Sequence, residues 1–395
     1  MGSGGREHAL AWSIARSATL TDLHAAPGNP GIAALADCHP LRADDPASLV
    51  PLAVELRVDL VVVGPEAPLV AGLADELRHR GIAVFGPSAE AAQIEGSKAF
   101  AKDIMDSAGV PTARTLAEAR APCVVKADGL AAGKGVWVCR TQAELDAGLR
   151  AAEALGQPFH VEELLEGEEV SIFALSDGAQ VLPLPAAQDY KRIGEGNEGP
   201  NTGGMGSFSP VPRVGRDDLD ELVDRVCAPV VRELGERRTP FVGALFAGLM
   251  LTDDGPRVLE YNCRFGDPET QSLLPRLDGD LLDALAACAA GSLDGVALDA
   301  SANAAVTVVL AAGAYPERGD TGTPIAGIAE AESTGALVFH AGTALHEGEL
   351  VTNGGRILNV TGLGGSLGEA RAAAYEAASR IHFAGMKFRR DIADV

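Results

Sequence analysis

The chain has 395 residues, 47% of them hydrophobic but only 4% aromatic, so it exceeds one ordinary domain and fills its interior largely with Ala, Val and Leu. Acidic residues number 55 against 32 basic ones, and the resulting net charge of −23 repels phosphate backbones and anionic lipid, so neither nucleic acid nor a membrane is expected as partner. Cys38, Cys123, Cys139, Cys227, Cys263 and Cys288 form no C-x-x-C pair, which argues against disulfide scaffolds and zinc knuckles and fits a reducing cytoplasm.

No apolar run is long enough to cross a bilayer, and Met1 to Gly5 lacks the apolar stretch of a secretory signal. In chain order, Glu7 to Ser17 reads as a helix, Leu60 to Val63 as a buried strand, Leu69 to Arg80 as a helix and Ile82 to Phe85 as a strand. Short apolar runs between helical stretches predict a doubly wound parallel sheet over residues 1–95. Cys123 to Lys126 and Val136 to Cys139 read as hairpin strands around a glycine-rich turn, followed by a helix over Gln142 to Ala154 and a strand over Phe159 to Glu162. A glycine-rich loop spans Gly194 to Gly206, a helix Asp217 to Leu234, and a strand pair Ala247 to Asn262. The tail reads as α+β, with strands at Val306 to Ala311, Ala336 to His340 and Arg356 to Val360 and a helix over Leu367 to Ile381.

Three stretches carry chemistry. In Lys126-Ala127-Asp128-Gly129-Leu130-Ala131-Ala132-Gly133-Lys134-Gly135, glycines let backbone N–H groups approach phosphate oxygens, and Lys126 adds a fixed charge. Gly135 stands where a Walker loop needs Ser or Thr, so that loop is disfavoured; the plain alternative is a solvent hairpin. In Val161 to Glu169, a strand ending in carboxylates could offer its backbone to an adenine edge and Glu169 to a ribose, although acidic clusters are usually solvated surface. In Leu259 to Gln271, strand alternation puts Glu260 and Asn262 on one face as hard oxygen ligands for Mg²⁺, with Arg264 expected on the same face to meet a transferring phosphoryl group.

In this order the three stretches resemble the ATP-grasp superfamily. Gly4-Gly5-Arg6-Glu7-His8-Ala9, Ala26 to Asn29, Val63 to Glu66, Glu95 to Lys98, Pro200 to Gly206, Arg264 to Gln271, His340 to Thr343 and Thr352 to Arg356 are similar to the phosphoribosylamine–glycine ligase family, across nearly the whole chain. The resemblance implies an ATP-grasp fold, α/β and α+β: an N-terminal domain (1–95), an ATP-grasp core (96–290) with a lid (116–182), and a C-terminal α+β domain (291–395). It implies ATP and Mg²⁺ (or Mn²⁺) as cofactors, glycine and phosphoribosylamine as substrates, and a monomer.

Residue by residue, the resemblance puts Lys98 and Lys126 on ATP phosphates under Gly129, Gly133 and Gly135. Glu162, Glu163 and Leu165 would hold adenine through backbone atoms, Glu169 the ribose, and Glu260 and Asn262 the metal. Phosphoribosylamine would lie against Gly4, Gly5, Arg6, Glu7 and His8 and against Gly64, Pro65 and Glu66. Arg264, Asn201 and Gly203, with Asp189, Lys191 and Asp267 nearby, would hold glycine and its acyl phosphate. ATP would activate the glycine carboxylate as glycyl phosphate, which the amine then attacks, with positioning and charge stabilisation dominating.

Three departures from the family pattern stand out. The family carries an apolar strand before the first glycine turn, where this chain reads Met1-Gly2; the strand would be central, so either a slot or a start assigned too late is expected. The stretch from Val138 to Val161 is short for a lid of this kind, and Tyr190 stands where His is commoner. Competing readings are another ATP-grasp carboxylate–amine ligase, a nicotinamide oxidoreductase, whose G-x-G-x-x-G Gly2 to Glu7 does not complete, and a non-catalytic nucleotide-binding module.

Overall fold

The computed structural model describes residues 1–129 and 135–395. Of the site candidates, Gly133 lies outside the described residues.

The N-terminal segment holds helix α1 (Gly5–Ile14), strands β1 (His24–Ala25) and β2 (Asp37–Cys38), α2 (Pro46–Leu56), β3 (Leu60–Val62), α3 (Glu66–Val70), α4 (Leu73–His79) and β4 (Ala83–Phe85). Both strand pairs, β1–β2 and β3–β4, are parallel. They meet at the first two residues: Gly2 N–H donates to Ala26 O and Gly64 N–H to Met1 O. The helix expected over Leu69 to Arg80 is broken at Gly72, whose φ of 89° is left-handed, so two short helices, α3 and α4, stand in its place.

After α5 (Gln93–Gly96) comes α6 (Lys98–Ala108), capped by Ser97 Oγ, which accepts from Phe100 N–H. A small module follows, with β5 (Cys123–Ala127), β6 (Val136–Cys139), α7 (Gln142–Ala154) and β7 (Phe159–Glu163). Its strand order is β6-β5-β7, all antiparallel. Helix α7 begins at a capping box: Thr141 Oγ1 accepts from Glu144 N–H while the Glu144 carboxylate accepts from Thr141 N–H. The module has its own core of Cys123, Val125, Cys139, Leu145, Ala152 and Val161.

The rest of the chain builds around one sheet. Its elements are β8 (Glu168–Asp177), β9 (Val181–Asp189), β10 (Arg192–Gly194), β11 (Glu198–Asn201), β12 (Gly206–Ser209), α8 (Arg216–Val226), α9 (Ala228–Glu236), β13 (Val242–Thr252), β14 (Gly255–Asn262) and α10 (Glu269–Leu273). Then come β15 (Leu277–Asp278), α11 (Leu281–Ala290), β16 (Asp299–Ala300), β17 (Ala304–Ala311), β18 (Asp320–Pro324), α12 (Ile328–Glu332), β19 (Leu337–His340), β20 (Thr343–His346), β21 (Glu349–Gly354), β22 (Arg356–Gly364) and α13 (Leu367–Ala378). The single helix read over Asp217 to Leu234 is two, with Pro229 in the first turn of α9, where a missing N–H is tolerated.

Eight strands run in the order β14-β13-β8-β9-β12-β17-β22-β19. The tail therefore shares the sheet of the preceding segment, joined where β12 pairs with β17 from Gly206 opposite Val308 to Ser209 opposite Ala305. This continuity brings the C-terminal residues Arg356 and Tyr315 against the loop after Asn201.

Candidate active site

Strand β14 carries a bulge: Glu260 lies opposite Gly248 and Val258 opposite Leu249, leaving Leu259 unpaired between them. The freed Leu259 carbonyl accepts from Lys126 Nζ at 2.8 Å. Beyond the bulge the side chains alternate. Tyr261 points inward and donates its hydroxyl to Val226 O at 2.5 Å, so Glu260 and Asn262 face the other way, as expected.

Glu260 Oε2 accepts from Lys98 Nζ at 2.8 Å. Burial would pull the Lys98 ammonium down, but Glu260, with Glu95 and Glu162 behind it, holds it above its ordinary value. In return Lys98 first, against burial, and then Lys191 and Lys126 hold Glu260 well below the usual carboxylate range. Lys98 opens α6, and its N–H donates to the Asp128 carboxylate, which ties the residue after β5 to that helix end.

Beside this pair Glu162, only 2% exposed, bridges Lys126 at 2.7 Å and Lys102 at 2.8 Å. Burial pushes its carboxyl up, but His160, Lys126 and Lys102 together bring it down to about 2. The side chains of Lys98, Lys102, Lys126, Glu162 and Glu260 close on a space of about 10 Å³, room for one water. Glu163 is turned outward onto Arg114, and its N–H is spent on Arg114 O. The backbone that leaves the sheet after β7 is that of Leu164 and Leu165. Gly129 keeps a left-handed φ of 101°, and Gly135 O accepts from Ala127 N–H.

A second cluster surrounds Lys191, which donates to Glu169 Oε2 at 3.0 Å and lies 4.0 Å from Asp189. Burial pushes Asp189 up to about 7, opposed by Lys191 and helped by Glu269 and Glu169. Burial likewise raises Glu269, which accepts from Ser171 Oγ at 3.2 Å. Lys191 is the cation that Asp189, Glu169 and Glu269 share.

Arg264 departs from expectation. The strand ends at Asn262, and the guanidinium turns to Glu66 and Glu95, each at 2.9 Å, instead of sharing the Glu260 face. Alternation fails there because the chain has left the sheet. Burial opposes the Arg264 charge, yet Glu95 and Glu66 hold it above its ordinary value. Arg264 thus links the N-terminal segment, through Glu66 next to Pro65, with the end of β14.

In the first glycine turn, Glu7 Oε2 accepts from Gly4 N–H at 2.6 Å and Glu7 Oε1 from Arg6 Nε at 2.6 Å. A Cβ on Gly64 would stand 2.3 Å from Glu7 Oε1, so that approach requires glycine. The next residue of α1 after Glu7 faces elsewhere. His8 Nδ1 accepts from His340 N–H at 2.8 Å, and burial, then His340, pushes the imidazole down to about 3. A neutral ring committed to the tail offers no charge to a phosphate.

Asn201 and Gly203 lie at the end of β11 and just after it. Arg356 Nη1 donates to Gly203 O, Arg356 Nη2 reaches Asp267 Oδ2 at 3.1 Å, and Gly203 N–H donates to Tyr315 Oη at 2.9 Å. Tyr190 plays a structural part: its ring lies under the Arg389 guanidinium at 4.8 Å, and its hydroxyl accepts from Ala393 N–H.

The sequence reading missed Lys102, Glu95, Glu269, Arg356 and Tyr315. Lys102 had a signal, since four residues on from Lys98 it shares a helix face. Glu95, Glu269 and Arg356 stood inside the quoted runs without a role, and Tyr315 had none.

The oxygen donors suit Mg²⁺. Glu260 and Asn262 are hard oxygen donors of the kind that ion takes, and among the described residues no group of three His, Cys, Asp or Glu is placed to hold a metal.

Models of the phosphoribosylglycinamide synthetase N domain, ATP-grasp (A) domain and C domain match residues 1–95, 96–270 and 305–395. The phosphoribosylamine–glycine ligase of Mesorhizobium japonicum is 49% identical, covering 99% of this chain and 96% of the relative. The Streptomyces coelicolor enzyme of the same name is 51% identical, covering 100% and 97%. A Thermotoga maritima phosphoribosylamine–glycine ligase crystal structure superposes with a TM-score of 0.84 at 34% identity, covering 99% of this chain and 98% of that one. A biotin carboxylase domain from Hydrogenobacter thermophilus shares the fold alone, at 17% identity and a TM-score of 0.71. The chain belongs to the phosphoribosylglycinamide synthetase family, with an ATP-grasp domain between its N and C domains.

Proposed function

We propose that the chain joins glycine to 5-phosphoribosylamine at the expense of ATP, through glycyl phosphate, giving glycinamide ribonucleotide, ADP and phosphate in purine synthesis. The observation that carries this is the convergence of Lys98, Lys126 and the Glu260–Asn262 strand end, in a chain about half identical to ligases of that name over its length.

Lys98 and Lys126 hold the ATP phosphates, together with the N–H groups of Gly129 and Gly135, while Leu165 offers backbone to adenine and Glu169 takes the ribose. Glu162 and Glu163 act from beneath, by fixing Lys126 and the end of β7. Glu260 and Asn262 hold Mg²⁺ (or Mn²⁺), which when bound neutralises charge on the transferring phosphoryl group. Nucleotide entry opens the Lys98–Glu260 and Lys126–Glu162 contacts, since the space between them holds one water. Residues 116–182 supply that opening as a lid.

Phosphoribosylamine lies against the Gly4 to His8 turn and Gly64 to Glu66, with Arg6 and Arg264 as the cations. Here Gly5 and Glu7 shape the turn and His8 braces it. Glycine lies between Asn201, Gly203, Asp267 and the Asp189–Lys191 pair. Asp189, raised to about 7, can take the proton that the attacking amine releases. We assign residues 1–95, 96–290 and 291–395 as the three domains and place the chain in the cytoplasm as a monomer.

The test is phosphate release from ATP and Mg²⁺, with and without glycine and freshly made phosphoribosylamine. Release that needs both, with glycinamide ribonucleotide formed, supports the reading. Release indifferent to either substrate sinks it.

A further inference from the structure

The cavity of interest lies away from the site just described, at the opposite end of β9 from Asp189. It has a volume of about 470 Å³, inside the range of small-molecule sites. Leu182, Leu184, Val211, Val214, Leu219 and Leu298 form its apolar walls, and Arg276 also lines it.

Arg276 is unusual among the buried charges. It is 5% exposed, yet its hydrogen bonds go to the Asn303 carbonyl at 2.6 Å, the Ser301 carbonyl at 3.2 Å and the Ser209 hydroxyl at 2.5 Å, all neutral. Five N–H groups on the guanidinium leave two without a partner among the described residues. Burial alone, with no carboxylate compensating, brings the group down to about 10. Buried cations are normally paired, because desolvation is otherwise uncompensated. Beside it the Ser301 hydroxyl is buried with no hydrogen-bond partner among the described residues.

The remaining charges set the ligand's class. Arg216 and Asp299, both at the mouth, neutralise one another at 2.9 Å, and Asp220 adds a negative charge to the lining. One unpaired cation under an acidic rim suits a single negative charge, and a dianionic phosphate would be repelled. We infer that this cavity binds a small monocarboxylate with an apolar body, its carboxylate on Arg276, its body against Leu182, Val214 and Leu219.

The test uses the full chain with hexanoate and benzoate as probes, hexanamide and benzamide as neutral counterparts, and inorganic phosphate as a headgroup without a body. Binding is read by calorimetry and by methyl NMR of the Leu and Val side chains on the walls. Saturable binding of the acids, with the amides at least about tenfold weaker and phosphate inert at those methyls, supports the inference. Equal binding of acid and amide, binding of phosphate alone, or no saturation overturns it. Because Arg276→Gln removes three structural hydrogen bonds and could unfold the chain, the second arm is Ala297→Trp, which blocks the exposed mouth and leaves Arg276 intact. With the melting temperature unchanged, that variant should lose at least about tenfold in acid affinity. Unchanged affinity there places the ligand elsewhere and also overturns the inference.

Discussion

Lys98 and Glu260 stand 162 positions apart and meet at 2.8 Å, one at the start of α6 and the other just past the bulge of β14. Each holds the other charged in a half-buried place. If Glu260 is a metal ligand and Lys98 a phosphate ligand, the pair keeps the site preorganised until ATP and Mg²⁺ take both partners. Glu260→Gln then loses the metal charge and frees Lys98. Its kcat should fall by about a hundredfold or more, with a raised Mg²⁺ requirement. A variant with ordinary Mg²⁺ dependence and near-normal kcat would exclude Glu260 from the metal site.

Glu162 makes a separate prediction about stability. It neutralises the buried Lys126 and the half-buried Lys102, so Glu162→Gln leaves them without this counter-charge and should destabilise the chain by about 3 kcal/mol. Its folded value, about 2, lies below the ordinary 4.5. The stabilisation is therefore complete above about pH 4.5 and disappears as pH falls toward 2. Denaturant melts across that window should show a steep acid loss in the parent and a flatter one in the variant. Parallel profiles would mean the ion pairs contribute nothing.

How much of this could be read beforehand depended on whether a signal was local. Periodicity marked α7 from Gln142 to Ala154 to the residue, because its capping box and apolar spacing are contained within it. The side of β14 that carries Glu260 and Asn262 followed from alternation alone. Arg264 did not, because alternation holds only while the chain remains in a sheet, and the chain leaves it at Asn262. The partners of Lys126 and Arg264 are long-range contacts with Glu162 and with Glu66 and Glu95, which pairwise sequence spacing does not encode. The continuity of the tail with the main sheet rests on β12, a four-residue strand too short to carry a clear pattern.

Arg356 is the tail's contribution to the glycine loop. It donates to the carbonyls of Gly203 and Asp267 and pairs with the Asp267 carboxylate. Lysine keeps the charge but not the fork. Arg356→Lys should raise the KM for glycine by about tenfold or more, the effect of losing one charged hydrogen bond, with the KM for ATP little changed. A uniform loss across all three substrates, or none, would remove Arg356 from the glycine loop's support.

His8 and His340 tie α1 to β19 in their neutral forms, with values pushed down to about 3 and about 4. The unfolded chain takes up protons near pH 6.5 that the folded chain refuses. Stability is thus full above about 6.5 and declines as pH drops toward 4. His8→Asn keeps an acceptor where Nδ1 receives the His340 N–H but cannot titrate. Its stability should change less between pH 7 and pH 4 than the parent's, measured by urea midpoints. An identical slope would show that His8 is protonated without penalty in the folded chain.

Cysteine accessibility gives a direct check on the packing beside the site. Cys38 is exposed, whereas Cys123, Cys139, Cys227, Cys263 and Cys288 are buried. Burial, reinforced by Glu95, raises the Cys263 thiol well above its ordinary value, so it is neither reachable nor ionised. Iodoacetamide on the native chain should therefore give one adduct, at Cys38, and six after unfolding. Cys263 immediately follows Asn262, so its protection reports whether the end of β14 stays closed. Rapid native labelling of Cys263 would mean that this strand end opens in solution, and that Glu260 and Asn262 are not held in the arrangement described.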